Sequence, residues 1–379
     1  MSEDAVRLSV IVPTRNEAEN IEPLRARVAE ALGRTPYELL FVDDSDDEGT
    51  VAALGHAAAV DPAVRFEHRT ASDGLSGAVL RGFALARGEV LAVLDGDLQH
   101  PPEILPRMLA RIDNGADLVV GSRFVPGGAD GGLGPVRKLV SWVARASIWM
   151  ALRRTRALKD PTSGCFMFRR EGLTHARAEA LGWKILVEVL QRGSFPRVEE
   201  EPLRFAPRQH GVSKLSGRQV LDLYRQLWRL VRASPDDRRF YLFAAVGASG
   251  VVLNMAVFLL LSRAGLAPEA AAPVSAGAAM VSNFVWNERF TYRDRRSGQV
   301  AGRAFKAVGT QVVGVAIDTG VVVLGHTVFG LPGALANLIG ILVAAGWNYG
   351  VFSAWVWRRV PDAPAPQWNV VPSEVSQES

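Results

Sequence analysis

The stretch EVLAVLDGDLQHPPE, Glu89 to Glu103, decides how this chain is read. An apolar run from Val90 to Leu94 stops at Asp95-Gly96-Asp97 and is followed by Gln99 and a Pro-Pro pair. Short apolar runs closed by polar turn residues have the composition of strands buried on both faces of a parallel sheet. Three further runs share the pattern: RLSVIVPT (Arg7 to Thr14), YELLFVDD (Tyr37 to Asp44) and DLVVGSR (Asp117 to Arg123). Helical periodicity, as in Ala18 to Leu32, separates them. This alternation predicts an α/β domain, and in open α/β sheets ligands bind beyond the carboxyl ends of the strands. Those ends carry Pro13 to Glu17, Asp43 and Asp44, Asp95 and Asp97, and Arg123.

The chain has neither a G-x-G-x-x-G opening a helix nor a Walker lysine, so a nucleotide here needs another anchor. A metal is one. Carboxylates at i and i+2 of a strand end project to one side, and two hard oxygens with room for water suit Mg²⁺ or Mn²⁺ bridging a diphosphate. Two solvated acids in a tight Gly96 turn would read the same way.

Charge divides the chain in two. Among 379 residues, 43 Lys and Arg face 39 Asp and Glu, but residues 240–357 form long apolar blocks while residues 1–235 hold most of the charge. A soluble domain joined to a membrane domain is expected. Basic excess points to nucleic acid, anionic lipid or phosphate-bearing substrates. Clustering of cations at the membrane edges favours lipid and phosphate, and no nucleic-acid partner is expected. The single cysteine, Cys165, permits no internal disulfide and reads as a packed small side chain. No secretory signal is expected ahead of LSVIVP.

Eight blocks in order make the pattern specific: IVPTRNEAENI, FVDDSDDEGT, GLSGAVLRGFALARGE, LDGDLQHPPE, GSRF, DPTSGCFMFRRE, GWKILVEVL and PRQHGVSKLS. Together they resemble the dolichyl-phosphate mannose synthase branch of the inverting GT-A glycosyltransferases, over about residues 7–230. The resemblance implies a GT-A fold, a Rossmann-like mixed sheet with helices on both faces. It implies that Pro13, Arg15, Glu17, Asp43 and Asp44 line a nucleoside pocket, and that Asp95, Asp97 and Gln99 hold the metal and the donor diphosphate. Arg15 stands where the family usually has Tyr, and Ser72 where mannose synthases often have Lys; a guanidinium plane can still stack on a base. GDP-mannose is the expected donor and UDP-glucose the second, because glucosyl relatives share most of the blocks. An early helix acid favoured by the dipole is the other reading of Glu17.

By the same resemblance Arg123, Arg137, Ser141 and Arg208 receive the phosphate of a polyprenyl (dolichyl-type) acceptor, with Lys214 near the donor diphosphate. Arg137 and Ser141 are four apart and share one helix face, and forked guanidiniums suit a phosphate monoester. A solvated helix start is the other reading of Arg137 and Lys138. The DPTSG loop, Asp160 to Gly164, is placed beside the sugar by analogy, whereas His100 reads as a loop residue. Two segments suit a membrane surface. PVRKLVSWVARASIWMAL offers Leu139, Trp142, Val143, Ile148, Trp149 and Met150, which fits an interfacial helix or a core helix. VLDLYRQLWRLVRA sets Leu223, Leu227, Leu230 and Val231 on one side with Arg225, Arg229 and Arg232 interspersed, a collar for an anionic leaflet or a packing helix.

Four stretches match the thickness of hydrocarbon: 240–262, 270–286, 307–329 and 335–355. Arg238, Arg239, the cations from Arg289 to Lys306, Arg358 and Arg359 lie at one side and Arg263 at the other, so the catalytic domain and both termini are expected in the cytoplasm. The block is internally duplicated. FAAVG at Phe243 recurs as FKAVG at Phe305, GVVLNMAV as GVAIDTGV with Asn254 aligned to Asp318, and NFVWNERFTYR from Asn283 as NYGVFSAWVWR from Asn348. It resembles the four-helix GtrA-like domains found beside such synthases, and its helices offer a surface for a homo-oligomer. Asp318 reads either as functional or as a hydrogen-bonding partner for a neighbouring helix. The expected organisation is a catalytic domain at 1–214, an amphipathic interfacial linker helix at 215–237, a membrane domain at 238–360 and a disordered tail at 361–379.

Overall fold

A computed structural model describes residues 6–70, 74–132, 134–173, 184–206 and 217–358. The chain divides into two compact units between Ser234 and Pro235. In the first, strands β1 (Leu8–Thr14), β2 (Tyr37–Asp43), β3 (Val64–His68), β4 (Val90–Val93), β5 (Leu118–Ser122), β6 (Phe166–Arg169) and β7 (Val198–Pro202) form one seven-stranded sheet. Its order is β3-β2-β1-β4-β6-β5-β7, parallel throughout except for β6, which runs antiparallel to both neighbours. Helices α1 (Ala18–Leu32), α2 (Glu48–Val60), α3 (Leu75–Leu85), α4 (Leu105–Asp113), α5 (Pro135–Ala151), α6 (Ile185–Arg192) and α7 (Gly217–Ala233) connect and follow these strands.

Why the four apolar runs lack polar alternation is visible in the core. Val10 and Val12 of β1 join Leu39, Phe41 and Ala92 in one buried cluster with Leu24 of α1 and Met108 of α4. Ile11, between them, joins Leu40, Leu91 and Val120 in the cluster on the opposite face, with Val79 of α3 and Leu186 of α6. Successive side chains point to opposite faces, and both faces are covered, so every position is apolar. Strands β3, β6 and β7 escaped the sequence reading. β3 and β7 alternate or carry several acids, as suits partly exposed strands, and β6 directly follows the DPTSG loop.

Helix α7 packs on this unit. Leu223, Leu227 and Leu230, at helical spacing, meet Ile148 and Leu152 at the end of α5 and Val187 of α6. Other apolar side chains of the same two helices stay in the open: Leu139, Trp142 and Met150 on α5 are 61%, 56% and 64% exposed, and Leu221 and Trp228 on α7 are 58% and 59% exposed. Each helix therefore has both a packed and an unpacked apolar side.

The second unit contains α8 (Pro235–Arg263), α9 (Pro268–Trp286), α10 (Val300–Thr327) and α11 (Gly333–Val351). Three segments are long and apolar enough to cross a membrane: Pro235–Arg263, Val300–Thr327 and Leu335–Val356. The expected second span falls on α9, which is not among them. The duplication is structural. α9 and α11 each run into a π-helical turn, Asn287–Thr291 and Phe352–Val356. Asn283 packs on Gly250 and Asn348 on Gly314, at matching points of the two halves. A Cβ on Gly314 would lie 2.7 Å from the Asn348 amide oxygen, so close helix approach requires glycine there. Tyr292 and Trp357, also matched, stack on each other within a buried cluster that includes Phe352 and Val356. Asp318 Oδ1 is buried against Gly340 and has no hydrogen-bond partner among the described residues. The tail and Arg359 lie outside the described residues.

Candidate active site

β4 stops at Val93, so Asp95 and Asp97 stand on the turn beyond it rather than on the strand itself. Leu94 still bonds to Ile11 of β1, and Asp97 Oδ1 accepts the Gln99 amide at 3.1 Å. Leu98 between them has φ 60°. Among the described residues Asn16 is the other non-glycine residue with positive φ, at 57°, and it sits between Arg15 and Glu17. Such backbone is costly for side-chain-bearing residues and concentrates at ligand-holding turns. Both outliers lie at strand ends that the sequence singled out.

Asp95 is the more open of the two acids, and Asp97 is nearly buried. His100 Nδ1 lies 3.2 Å from Asp95 Oδ2 without hydrogen-bond geometry, with its ring edge-on to Phe205. Gly164 presses on the acid from the other side: a Cβ there would be 2.7 Å from Asp95 Oδ2. The DPTSG loop and the DGD turn therefore pack directly together. Among the described residues no three His, Cys, Asp or Glu side chains converge as a metal cage. Two carboxylates, one of them open to solvent, fit a cation completed by water and phosphate oxygens, the usual arrangement for Mg²⁺.

Asp43 and Asp44, at the end of β2, are buried and already bonded. Thr14 and Ser45 hydroxyls donate to Asp43 Oδ1, and His68 Nδ1 lies 2.8 Å from Oδ2. Arg69 grips Asp44 by two bonds of 2.7 and 2.6 Å. Arg15 projects outward and pairs with Asp46 at 2.8 Å. Glu17 accepts from the Asn20 amide, and its backbone N–H donates to Thr50 Oγ1. Pro13 lies in the last turn of β1, its carbonyl facing Gly96. Gln99 donates to the Ala206 carbonyl, tying the DGD turn to the chain after β7.

Arg123 already has partners within the chain. Its guanidinium donates to both oxygens of fully buried Asp160, at 2.7 and 2.9 Å, and to Thr162 Oγ1 at 3.0 Å. Burial opposes charge on Asp160, yet the bonds and charge of Arg123 outweigh it and hold the carboxyl below its ordinary value. Lys184, just before α6, donates from Nζ to the Thr162 carbonyl at 2.6 Å. Burial, together with the Arg123 charge, pushes this amine down to about 8. Arg145 on α5 lies over the Phe124 ring at 3.6 Å and donates to the Lys159 carbonyl. Burial lowers its pKa as well.

The structure thus brings Asp95, Asp97, Gln99 and Arg123 to one end of the sheet, with the Asp160–Gly164 loop between the acids and the arginine. Ser141 is half-buried on α5. Arg137 lies on the same helix, but its side chain is outside the described part, as are residues Arg208, Lys214 and Ser72. The sequence reading gave no role to Asp160, Lys184 or Arg145. A signal existed for Lys184, a cation opening the apolar run ILVEVL; nothing local marked Asp160 as the partner of a residue 37 positions away. Cys165 is buried beside Met108, and burial raises its thiol pKa, which fits an inert packed side chain.

Known proteins match both units. Residues 9–175 match glycosyl transferase family 2, and residues 242–357 match the GtrA/DPMS transmembrane domain. The chain is 35% identical to a dolichol-phosphate mannosyltransferase of Pyrococcus furiosus over 353 residues, 93% of this chain and 99% of that protein. It is 36% identical to an undecaprenyl-phosphate mannosyltransferase of Micrococcus luteus, covering 56% of this chain and 88% of that one. A polyprenol monophosphomannose synthase of Mycolicibacterium smegmatis is 37% identical, covering 56% and 83%.

Proposed function

We propose, from the premise that this chain belongs to the dolichol-phosphate mannosyltransferase family, that it transfers mannose from GDP-mannose to a polyprenyl phosphate of the dolichyl type. The reaction inverts the anomeric centre and gives polyprenyl phosphate β-mannose at the cytoplasmic face of the membrane. The observation that carries this reading is the contact of two opposite constellations: Asp95 of the acid pair touches, at Gly164, the loop whose Asp160 holds Arg123.

Chemistry at such a junction needs no strong base. The acceptor phosphate is already anionic near neutral pH; its oxygen attacks C1 of the sugar, the C1–O bond to the diphosphate breaks, and the electron pair leaves with GDP. The protein supplies positioning and charge stabilisation. Asp95 and Asp97 would hold Mg²⁺ or Mn²⁺, which neutralises the departing diphosphate when bound. Lys184 and the Arg123–Asp160 pair fix the floor under the sugar by bonding both ends of Thr162. Arg123, Arg137, Ser141 and Arg208 are assigned to the acceptor phosphate and Lys214 to the donor. Pro13, Arg15, Glu17, Asp43 and Asp44 belong to the nucleoside side, where the two aspartates stiffen the pocket wall through His68 and Arg69.

The exposed apolar sides of α5 and α7, rich in Trp and flanked by arginines, suit the boundary where a lipid phosphate is presented. The second unit anchors the chain in the membrane, with four crossings and both termini in the cytoplasm. The test is direct. Full-length protein in polyprenyl-phosphate vesicles is given radiolabelled GDP-mannose or UDP-glucose, and the lipid is extracted. Mannose label in an acid-labile lipid is the expected result; label from UDP-glucose alone, or none in lipid, would defeat the reading.

A further inference from the structure

We propose that Arg145 is a further phosphate-binding residue of the acceptor site, an inference that rests on the acceptor reading above. Arg137, Ser141 and Arg145 occupy positions i, i+4 and i+8 of α5 and so lie along one helix face. The Arg145 guanidinium is held in place by stacking on Phe124 at 3.6 Å and by its bond to the Lys159 carbonyl. Phe124 is also the ring beside Arg123, whose guanidinium carbon is 5.2 Å from its centre. Both arginines therefore flank one ring.

Their charges are handled differently. Arg123 is neutralised by Asp160, whose two oxygens are taken by Arg123 and Thr162. Arg145 has no carboxylate within ion-pair distance among the described residues, and its Nε–H is buried with no hydrogen-bond partner. Arg145 thus carries a charge that no carboxylate pairs with directly among the described residues, with Asp160 acting on it only at longer range. The Nε–H is closed to solvent, but the terminal Nη groups have only the Lys159 carbonyl as a hydrogen-bond partner among the described residues, and the open edge of a planar fork matches phosphate oxygens. A purely structural role, clamping Phe124 and the Lys159 carbonyl, would be served by the stacking alone and would leave no reason for an unmatched charge.

The experiment measures steady-state kinetics of the full-length enzyme with farnesyl phosphate as acceptor and GDP-mannose as donor. R145M keeps the stem and removes the charge. We expect KM for farnesyl phosphate to rise about tenfold or more, the loss of one charge-assisted hydrogen bond, with KM for GDP-mannose changed by less than about twofold. R145K, retaining charge without the fork, should fall between. Should R145M lose its circular dichroism signal, R145K reads the same split between the two KM values. Unchanged acceptor KM, or equal rises for both substrates, would overturn the assignment. If wild type transfers nothing to farnesyl phosphate or to longer polyprenyl phosphate, the parent reading fails and takes this inference with it.

Discussion

Arg123 and Asp160 form a two-bond ion pair at 2.7 and 2.9 Å in which the acid is fully buried. The pair joins the end of β5 to the loop before β6, the one strand that runs against the sheet. It therefore sets where the DPTSG loop meets the DGD turn. Asp160→Asn keeps the shape and removes the charge. Breaking a buried pair from one side typically costs about 3–5 kcal/mol, so melting of the variant should drop clearly and transfer should fall by about 100-fold or more. Wild-type melting with wild-type activity would show the pair to be incidental.

Asp97→Ala tests the acid pair. If Asp97 holds a divalent cation, the variant should lose transfer by about 1000-fold, and chelator should silence wild type until Mg²⁺ or Mn²⁺ is restored. Isothermal titration should show GDP binding weakened in parallel. Full activity in excess chelator would remove the metal from the mechanism.

Lys184→Met separates stability from function. The native amine titrates at about 8, below the ordinary lysine value of about 10.4, so between those pH values the unfolded chain binds more protons. Wild-type stability from this group should rise as pH climbs from about 8, and the penalty of burying its charge is fully present below that. The methionine variant should melt at or above the wild-type temperature at pH 7, show a flatter melting profile between pH 8 and 10, and still lose transfer about tenfold or more. A less stable yet fully active variant would contradict the assignment.

Tyr292 and Trp357 stack with centroids 4.5 Å apart and planes 2° from parallel, at matched positions of the duplicated helix pairs. Trp357 also donates to Glu288, which Arg303 grips by two bonds. Trp357→Ala should destabilise the second unit by about 3–5 kcal/mol. Tyr292→Ala combined with it should cost less than the sum, by about 0.5–1.5 kcal/mol for the lost aromatic pair. Strict additivity in detergent melting would mean that the two rings do not act as a unit.

The sequence by itself determined the layered α/β unit, because strands buried on both faces must be apolar at every position and no other element of that length is. It also determined the family, through eight ordered blocks, and the duplication of the second unit, since equivalent helix contacts reuse Gly250 with Asn283 and Gly314 with Asn348. Asp95 and Asp97 were legible because a strand end followed by a turn exposes its polar residues. What only the tertiary structure decided is who neutralises whom. Asp160 meets Arg123, and Lys184 meets Thr162, because antiparallel β6 folds the DPTSG loop back between β4 and β5. Asp160 and Arg123 are 37 positions apart, and Lys184 and Thr162 are 22 apart. Charge pairing is short-ranged in space and blind to distance along the chain, so a string that shows every cation still cannot show that Arg123 is balanced while Arg145 is not.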